Sequence, residues 1–467
     1  MARRSMAAQM VGVETAGQNL ANVNTPGYSR QRVNLQTSNP LSSSAGPIGT
    51  GVQATSVQRI VDDLLTGSIQ KQASVQSYWT AQQSALQDAQ AGLNEFLNNT
   101  GSTDGTTNTA TATNPSASLS AQIDSFFAAA QKLSGINGDT KSNRNNLVQA
   151  AQSLARTFND VNGQLAAART GINSSIANDT NAANKLLTSV ADLNRQISDA
   201  ESSGGMANDL RDQRDQALQN LAKLVDFTSS TAANGTVNVT VGGQTLVSGQ
   251  TVQDTLQSYD AGAGQMLLRT TIGATPVTVT TGSIVGAISA RDTTLAGVQT
   301  NIDTLANTFI TQVNALHATG FTASGASGNS FFTGTDAATM AVNSALAADS
   351  SLIQASGSAL TGADNSIALA IAQLADSSQA ALGNQTFSQD YSTTVGGLGS
   401  AVKTANDAVD NQTTMTNYLA AQRNAVSGVS TDEEMTTLLA FQRAYTASAE
   451  VLKTVDQMIQ TTLAMKT

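Results

Sequence analysis

A long amphipathic segment at the C-terminus, Val429–Leu463, is the feature that most constrains how this chain can fold. Its apolar and small residues recur at alternating steps of three and four, the spacing of a helix with one apolar side. These residues are Phe441, Ala444, Tyr445, Ser448, Val451, Leu452, Val455, Met458 and Ile459. A lone helix cannot bury such a stripe, so this segment needs packing partners. The alternative interpretation of this segment alone is a C-terminal core helix of an ordinary domain.

The first residues of this segment match a helix start. Ser430 and Glu433 have the spacing of a capping box, in which each side chain accepts a hydrogen bond from the backbone N–H of the other residue. Asp432 and Glu434 add negative charge where the helix dipole favours it. We therefore predict a helix cap formed by Ser430 and Glu433.

The N-terminus carries a second helical stripe, formed by Met6, Met10, Val13, Gly17 and Leu20. The sequence Thr25-Pro26-Gly27-Tyr28 follows, and its Pro and Gly positions are those of a type II turn. An amphipathic helix at each end of the chain predicts that the two termini meet and pack together.

Composition excludes several classes of function. The net charge of −10 leaves no basic face for nucleic acid or for a polybasic membrane anchor. The absence of cysteine excludes disulfides, thiolate catalysis and cysteine-ligated metal. No run approaches the roughly 18 to 20 apolar residues of a membrane span, and the first residues lack a signal-peptide core. If the protein leaves the cell, we expect export without a cleaved signal.

Hydrophobic periodicity predicts a mainly helical chain with a β insertion. We expect a long helix near 56–98, a flexible low-complexity loop at 98–117, and irregular structure at 36–51 and 318–364. Residues 236–241 alternate with period two before Gly242-Gly243, which predicts strands. The predicted domains are a terminal helix and turn (1–40), a helical rod in two parts (41–226 and 286–428), a small β domain (227–285) and a terminal helix (429–467).

No group of residues indicates catalysis, a cofactor or a metal. His317 is the only histidine, so neither a histidine zinc site nor a redundant Ser/His/Asp set can be assembled, and we expect a structural role for it. The carboxylates at 432–434 are explained by their position at a helix start. The mixed charges of 209–215 predict a helix face with internal salt bridges rather than a cation site. We therefore predict that the chain is not an enzyme.

The segment Asn19–Tyr28, with the sequence Asn-Leu-Ala-Asn-Val-Asn-Thr-Pro-Gly-Tyr, resembles the N-terminal signature of bacterial flagellar rod, hook and hook-associated proteins. The following Ser29-Arg30-Gln31 is similar to the hook-associated members of this axial family. Internal segments show the same resemblance and extend it over nearly the whole chain: Arg144–Phe158, Asn208–Asp215, Gly235–Val239, Gly282–Asp292, Gly328–Phe332 and Ser427–Glu434. Two departures are a later start than the family pattern and a brief segment between Phe332 and Asp364.

This resemblance implies a mainly α fold whose terminal helices pair into a coiled-coil or rod domain, with a small outward β domain. It implies an extracellular structural protein that joins the flagellar hook to the filament. The implied partners are the hook protein, a second hook-associated protein, an export chaperone at the C-terminal helix and further copies of the chain. The alternatives are another axial rod or hook subunit, or a secreted adhesin or glycan-binding protein. The expected assembly-interface residues are Met10, Val13, Leu20, Asn22, Asn24, Pro26, Gly27, Tyr28, Phe441, Tyr445, Val451, Leu452, Val455, Met458 and Ile459.

Overall fold

A computed structural model describes residues 1–43, 46–97, 118–202, 204–262, 264–359 and 364–465 of the chain. The predicted flexible loop at 98–117 lies outside these residues. The helices are α1 (Ala2–Ala21), α2 (Asp63–Leu97), α3 (Leu119–Ser134), α4 (Lys141–Glu201), α5 (Asn208–Leu224), α6 (Ser283–Ser289), α7 (Ala296–Ala318), α8 (Ser344–Ala348), α9 (Ser366–Gln373), α10 (Phe387–Ser427) and α11 (Thr431–Ala464). A π-helical turn, Ala290–Leu295, joins α6 to α7.

The strands form small antiparallel sheets. They are β1 (Gln31–Thr37), β2 (Leu41–Ser43), β3 (Gly46–Ile48), β4 (Val52–Arg59), β5 (Thr228–Thr231), β6 (Val237–Val241), β7 (Gln244–Ser248), β8 (Thr251–Val252), β9 (Leu256–Asp260), β10 (Met266–Thr270), β11 (Phe332–Thr333) and β12 (Ala341–Val342). β1 pairs with β4, and β2 pairs with β3 beyond them, so residues 31–59 form a two-stranded ribbon. β5–β8 form a four-stranded sheet in sequence order, and β9 pairs with β10.

The core lies among α2, α3, α4, α7 and α10. α4 is 61 residues long and contacts five other helices, α2, α3, α5, α6 and α7, together with strands of the β insertion, because its apolar residues recur at helical spacing along its whole length. Six phenylalanines pack ring to ring where α3, α7, β11 and α10 meet, with ring centroids 4.9–5.9 Å apart. They are Phe126, Phe127, Phe309, Phe331, Phe332 and Phe387.

The β insertion is fastened to α4 by buried polar side chains. Asn194, which is completely buried, donates to the carbonyls of Val237 and Gly249 at 2.8 and 2.6 Å. Arg291 is also completely buried, and its guanidinium donates to Asn173 of α4 and to the carbonyl of Met266 in β10. These contacts satisfy groups that would otherwise be buried without hydrogen bonds.

The predicted fold class, mainly α with a β insertion and paired terminal helices, is confirmed. Two local predictions are wrong. Residues 36–51 are not irregular throughout, because β2 and β3 pair there and Thr37 and Val52 end the β1–β4 ladder. The long helix begins at Asp63 rather than near 56, because residues 52–59 form β4 against β1. Pairing between residues about 20 positions apart leaves little trace in local periodicity.

Candidate assembly surface

α1 and α11 pack as an antiparallel pair. Three contacts recur at seven-residue intervals along both helices. The Oγ atoms of Ser5 and Ser448 lie 2.9 Å apart, Gly12 lies under the ring of Phe441, and the Asn19 amide donates to the Glu434 carboxylate at 2.9 Å. Seven residues are two helical turns, so the pair has the repeat of a coiled coil. The prediction that the two termini meet is confirmed.

α1 contacts α11 through a face that differs from the predicted stripe. Small residues fill this face, with Ala8, Gly12 and Ala16 buried. Small side chains let the two backbones approach, and the ring of Phe441 occupies the space above Gly12. Met10 of the predicted stripe is 53% exposed, and Val13 and Leu20 are half-buried. The α1–α11 contact therefore leaves Met10 exposed and Val13 and Leu20 only partly covered.

α11 continues well beyond the start of α1. The register of the three contacts places Met1 opposite Leu452, and the described residues from Glu450 to Met465 are all exposed. The exposed apolar side chains of this half of α11 are Val451, Leu452, Val455, Met458, Ile459 and Leu463, and Tyr445 precedes them. A helix that shows an apolar stripe to solvent over four turns has an unfilled packing surface.

The predicted turn forms where α1 ends. The N–H of Tyr28 donates to the carbonyl of Thr25 at 3.2 Å, and Gly27 has a φ of +86°, which favours glycine. Asn22 accepts from the Thr25 hydroxyl, whereas Asn24 and Pro26 are exposed.

The Tyr28 hydroxyl closes the turn back onto α1 by donating to Asn19 Oδ1 at 2.8 Å. Burial, together with the nearby carboxylates of Asp209, Asp212 and Glu434, raises the pKa of Tyr28 above its usual value. Asn22, Gly27 and Tyr28 thus hold the turn together within the chain.

The predicted capping box at the start of α11 is not formed. Ser430 occupies the N-cap position, but its side chain makes no capping hydrogen bond. The Glu433 carboxylate instead accepts from Arg30 Nη1 at 2.8 Å, and Glu434 accepts from Arg30 Nε at 2.7 Å. An arginine between two carboxylates provides charge-assisted hydrogen bonds that a backbone N–H cannot match.

The charged side chains of α5 have other partners than those predicted from the sequence. Its predicted internal salt bridges are absent, because each charged side chain bonds to another element. Asp212 and Asp215 accept from Arg59, the last residue of β4, at 2.6 and 2.8 Å. Asp209 accepts from Gln18 and Gln31 at 2.9 and 2.8 Å. Asp209, Asp212 and Asp215 are spaced three residues apart, which places their carboxylates on one face of the helix. This spacing was the sequence signal for a shared contact surface.

The described residues contain no group of three or more potential metal ligands, and none of their helices is long and apolar enough to cross a bilayer. His317 is completely buried, with Nδ1 2.7 Å from the carbonyl of Asn329 and Nε2 accepting from the N–H of Gln354 at 3.0 Å. These bonds link three segments, as a structural histidine does.

Known proteins resemble this chain along its whole length. A sequence profile described as "Flagellar hook-associated protein FlgK helical domain" matches residues 105–332, and "Flagellar basal body rod FlgEFG protein C-terminal" matches residues 420–465. Flagellar hook-associated protein 1 of Bacillus subtilis is 30% identical, covering 98% of this chain and 96% of the relative. The protein of the same name from Salmonella typhimurium is 25% identical over 98% of each chain.

A solved structure supports the fold. The flagellar hook junction protein FlgK from Burkholderia pseudomallei superposes with a TM-score of 0.62 at 18% identity, covering 78% of this chain and all of that chain. This likeness shows the fold, and the sequence matches show the class, a structural protein of the bacterial flagellum. The chain belongs to the flagellar hook-associated protein 1 family. The proteins that it matches are structural components of the flagellum and are not known enzymes.

Proposed function

We propose that this chain forms the junction between the flagellar hook and the filament, and that it acts by packing its terminal helices against neighbouring subunits. Membership of the hook-associated protein 1 family supports the junction role. The observation that carries the mechanism is the exposed apolar stripe of α11, together with the exposed Met10 of α1. We assign the chain no enzymatic activity, since assembly alone accounts for this surface.

Two unfilled stripes of equal length support self-association. On α1, the residues Met6, Met10, Val13, Gly17 and Leu20 alternate at steps of four and three. On α11 and its C-cap, Met465, the residues Val451, Val455, Met458, Thr462 and Met465 alternate in the same way. Each stripe spans fifteen residues, about 21 Å of helix. The α1 stripe of one copy would pack on the α11 stripe of the next, a head-to-tail contact that generates a ring or helical tier.

The same surface suits the other expected partners. At one end of a tier the next neighbour would be the hook protein, and at the other end it would be a second hook-associated protein. Each would bind the surface that another copy of this chain binds within the tier. Before assembly, a cytoplasmic export chaperone would cover the apolar side of α11, because an amphipathic helix is readily bound in a groove. The net charge of −10 leaves nucleic acid outside this set of partners, and membrane insertion is not part of the proposal.

Export and domain arrangement complete the proposal. The chain would reach the outside of the cell without a cleaved signal peptide, as a thread that folds at the growing tip. Residues 41–226 and 286–428 would then form the rod, while 227–285 would face outward. Residues 1–40 and 429–467 would form the axial pair.

A deletion of the gene tests the function. We expect cells with intact hooks, no filaments and monomeric flagellin released into the medium. Cells without hooks would instead assign the chain to the rod or to the hook itself. Normal filaments would contradict the junction role and favour the secreted adhesin alternative.

A further inference from the structure

One face of α5 holds the terminal part of the chain. We call α1, the β1–β4 ribbon and α11 the terminal unit. Asp212, only 6% exposed, accepts from the N–H of Ser29 at 2.9 Å and from Arg59 Nη1 at 2.6 Å. One turn earlier, Asp209 accepts from Gln18 of α1 and from Gln31 of β1. These carboxylates therefore bond to α1 and to both strands of the ribbon at its base, where Gln31 pairs with Arg59.

Asn208, the first residue of α5, extends the same face. Its amide donates to the carbonyl of Val57 at 2.9 Å and to Gln31 Oε1 at 3.0 Å. Both partners lie in the paired strands β1 and β4. This face of α5 thus makes side-chain hydrogen bonds to both strands, β1 and β4, at the base of the ribbon.

The opposite charges of α5 bond in another direction. Arg211 makes a bidentate ion pair with Glu201, at the end of α4, with distances of 2.8 and 2.7 Å. Arg214 is buried and donates to Asn194 Oδ1 at 3.0 Å and to the carbonyl of Gly235 at 2.8 Å. Because Asn194 also holds β6 and Gly249, Arg214 is attached to the base of the β insertion.

The attachment of the terminal unit is polar rather than apolar. Among the described residues, the continuous cluster of buried apolar side chains has no member before Ala85 or after Val402. α1 and α11 thus lie outside the core that holds the body together. Their orientation therefore depends on hydrogen bonds and ion pairs, which form only in a narrow range of geometry.

We infer that α5 is a two-sided coupler, with Asp212 as the positioning residue for the terminal unit and Arg214 as the positioning residue for the β insertion. The alternating acidic and basic residues of 208–215 place the two sets of contacts on different sides of one short helix. The same helix therefore attaches the terminal unit on one side and the β insertion on the other, through separate side chains. This inference concerns the attachment within one chain, so it stands or falls independently of the junction role.

Hydrogen–deuterium exchange on the full chain tests the coupler. In Asp212→Asn we expect the β1 and β4 amides to exchange about tenfold faster, with β6 and β7 unchanged. In Arg214→Gln we expect the reverse pattern. Arg211→Gln is a milder second variant for the insertion side, because its side chain is partly exposed. Asp192→Asn is the matched control, since Asp192 pairs with Arg195 on the solvent-exposed surface of α4.

A double-mutant cycle adds a readout that general destabilisation would not reproduce. Arg59→Gln and Asp212→Asn should affect the ribbon amides less than additively, because both remove the same ion pair. The inference would be overturned if Asp212→Asn or Arg214→Gln accelerated the exchange of the β1 and β4 amides and of the β6 and β7 amides equally. It would also be overturned if neither variant changed the exchange of either set. Complete exchange of the ribbon amides in the unmodified chain would also overturn it.

Discussion

The ring of Phe441 covers Gly12 so closely that a Cβ at residue 12 would lie 2.6 Å from the ring. This single contact explains why the small-residue face of α1, and not its stripe of larger side chains, meets α11. Ala8 and Ala16 lie one helical turn to either side of Gly12 and are equally buried. The close approach of the helices leaves Met10 on the outside of the pair, where another subunit can reach it.

Substitution of Gly12 should open the terminal pair. In Gly12→Val the new side chain must displace Phe441, and overpacking of this kind costs about 1–3 kcal/mol. We expect faster hydrogen exchange of the α1 amides without a change in α4. Gly17→Ala is the control, because no atom lies within 4 Å of its Cβ position and alanine stabilises a helix by ~0.5–1 kcal/mol. Similar effects of the two substitutions would contradict the close packing at Gly12.

A charge in the α11 stripe should block assembly without unfolding the monomer. Val455 is 40% exposed and lies beyond the start of α1 in the register of the pair, so Val455→Asp should leave the melting temperature of the monomer unchanged. Cells carrying it should have hooks but no filaments. Gln457→Asp introduces the same charge on the polar side and should permit filaments. A large drop in the monomer melting temperature for Val455→Asp would show that α11 is an ordinary core helix.

Stability should fall in mild acid because of His317. Burial lowers its pKa from 6.5 to about 4, so the unfolded chain binds a proton between these values while the folded chain does not. The free energy of unfolding should therefore decrease as the pH falls from 6.5 towards 4, with a loss of about 2 kcal/mol at about pH 5. Urea unfolding across this range should show the loss, and His317→Gln should lower stability at neutral pH but remove this part of the pH dependence. An unchanged pH dependence in the variant would contradict the assignment.

The phenylalanine cluster should carry much of the stability of the body. Phe126 is completely buried and lies 5.2–5.8 Å, between ring centroids, from Phe127, Phe309, Phe331 and Phe332. Phe126→Ala should lower the free energy of unfolding by about 3–5 kcal/mol, measured by urea denaturation. Ile136→Ala removes a fully exposed apolar side chain and should change it by less than about 0.5 kcal/mol. A small effect at Phe126 would mean that the cluster rearranges to fill the cavity.

Several elements could be predicted from local sequence alone. The turn at 25–28 depends on a proline and a glycine within four residues, and β6 and β7 follow from alternation around Gly242-Gly243. The full length of α4 was harder to predict. It includes Gly163 and Gly171, which are tolerated within the helix although each costs about 1 kcal/mol against alanine. Packing along the whole helix offsets such a cost.

The site was predicted in outline but not in its contacts. The residues of the exposed α11 stripe were correctly grouped on one side of a helix, and whether they bind a neighbour stays a prediction. The acceptors of Arg30 and Arg59 were missed, because Glu434 and Asp212 lie 404 and 153 positions away along the chain. No local pattern distinguishes a carboxylate that pairs within its helix from one that bonds to a distant strand.

The sequence by itself determined the helical stripes at both termini, the turn after α1, the alternation of the β insertion and the family of the protein. Only the tertiary structure decided that Gly12 meets Phe441, that Glu433 bonds to Arg30 instead of capping α11, and that the charges of α5 point to two different partners. The physical reason is that periodicity determines which residues share a face. The face that becomes buried, and the partner of each buried charge, depend on how closely distant segments can approach.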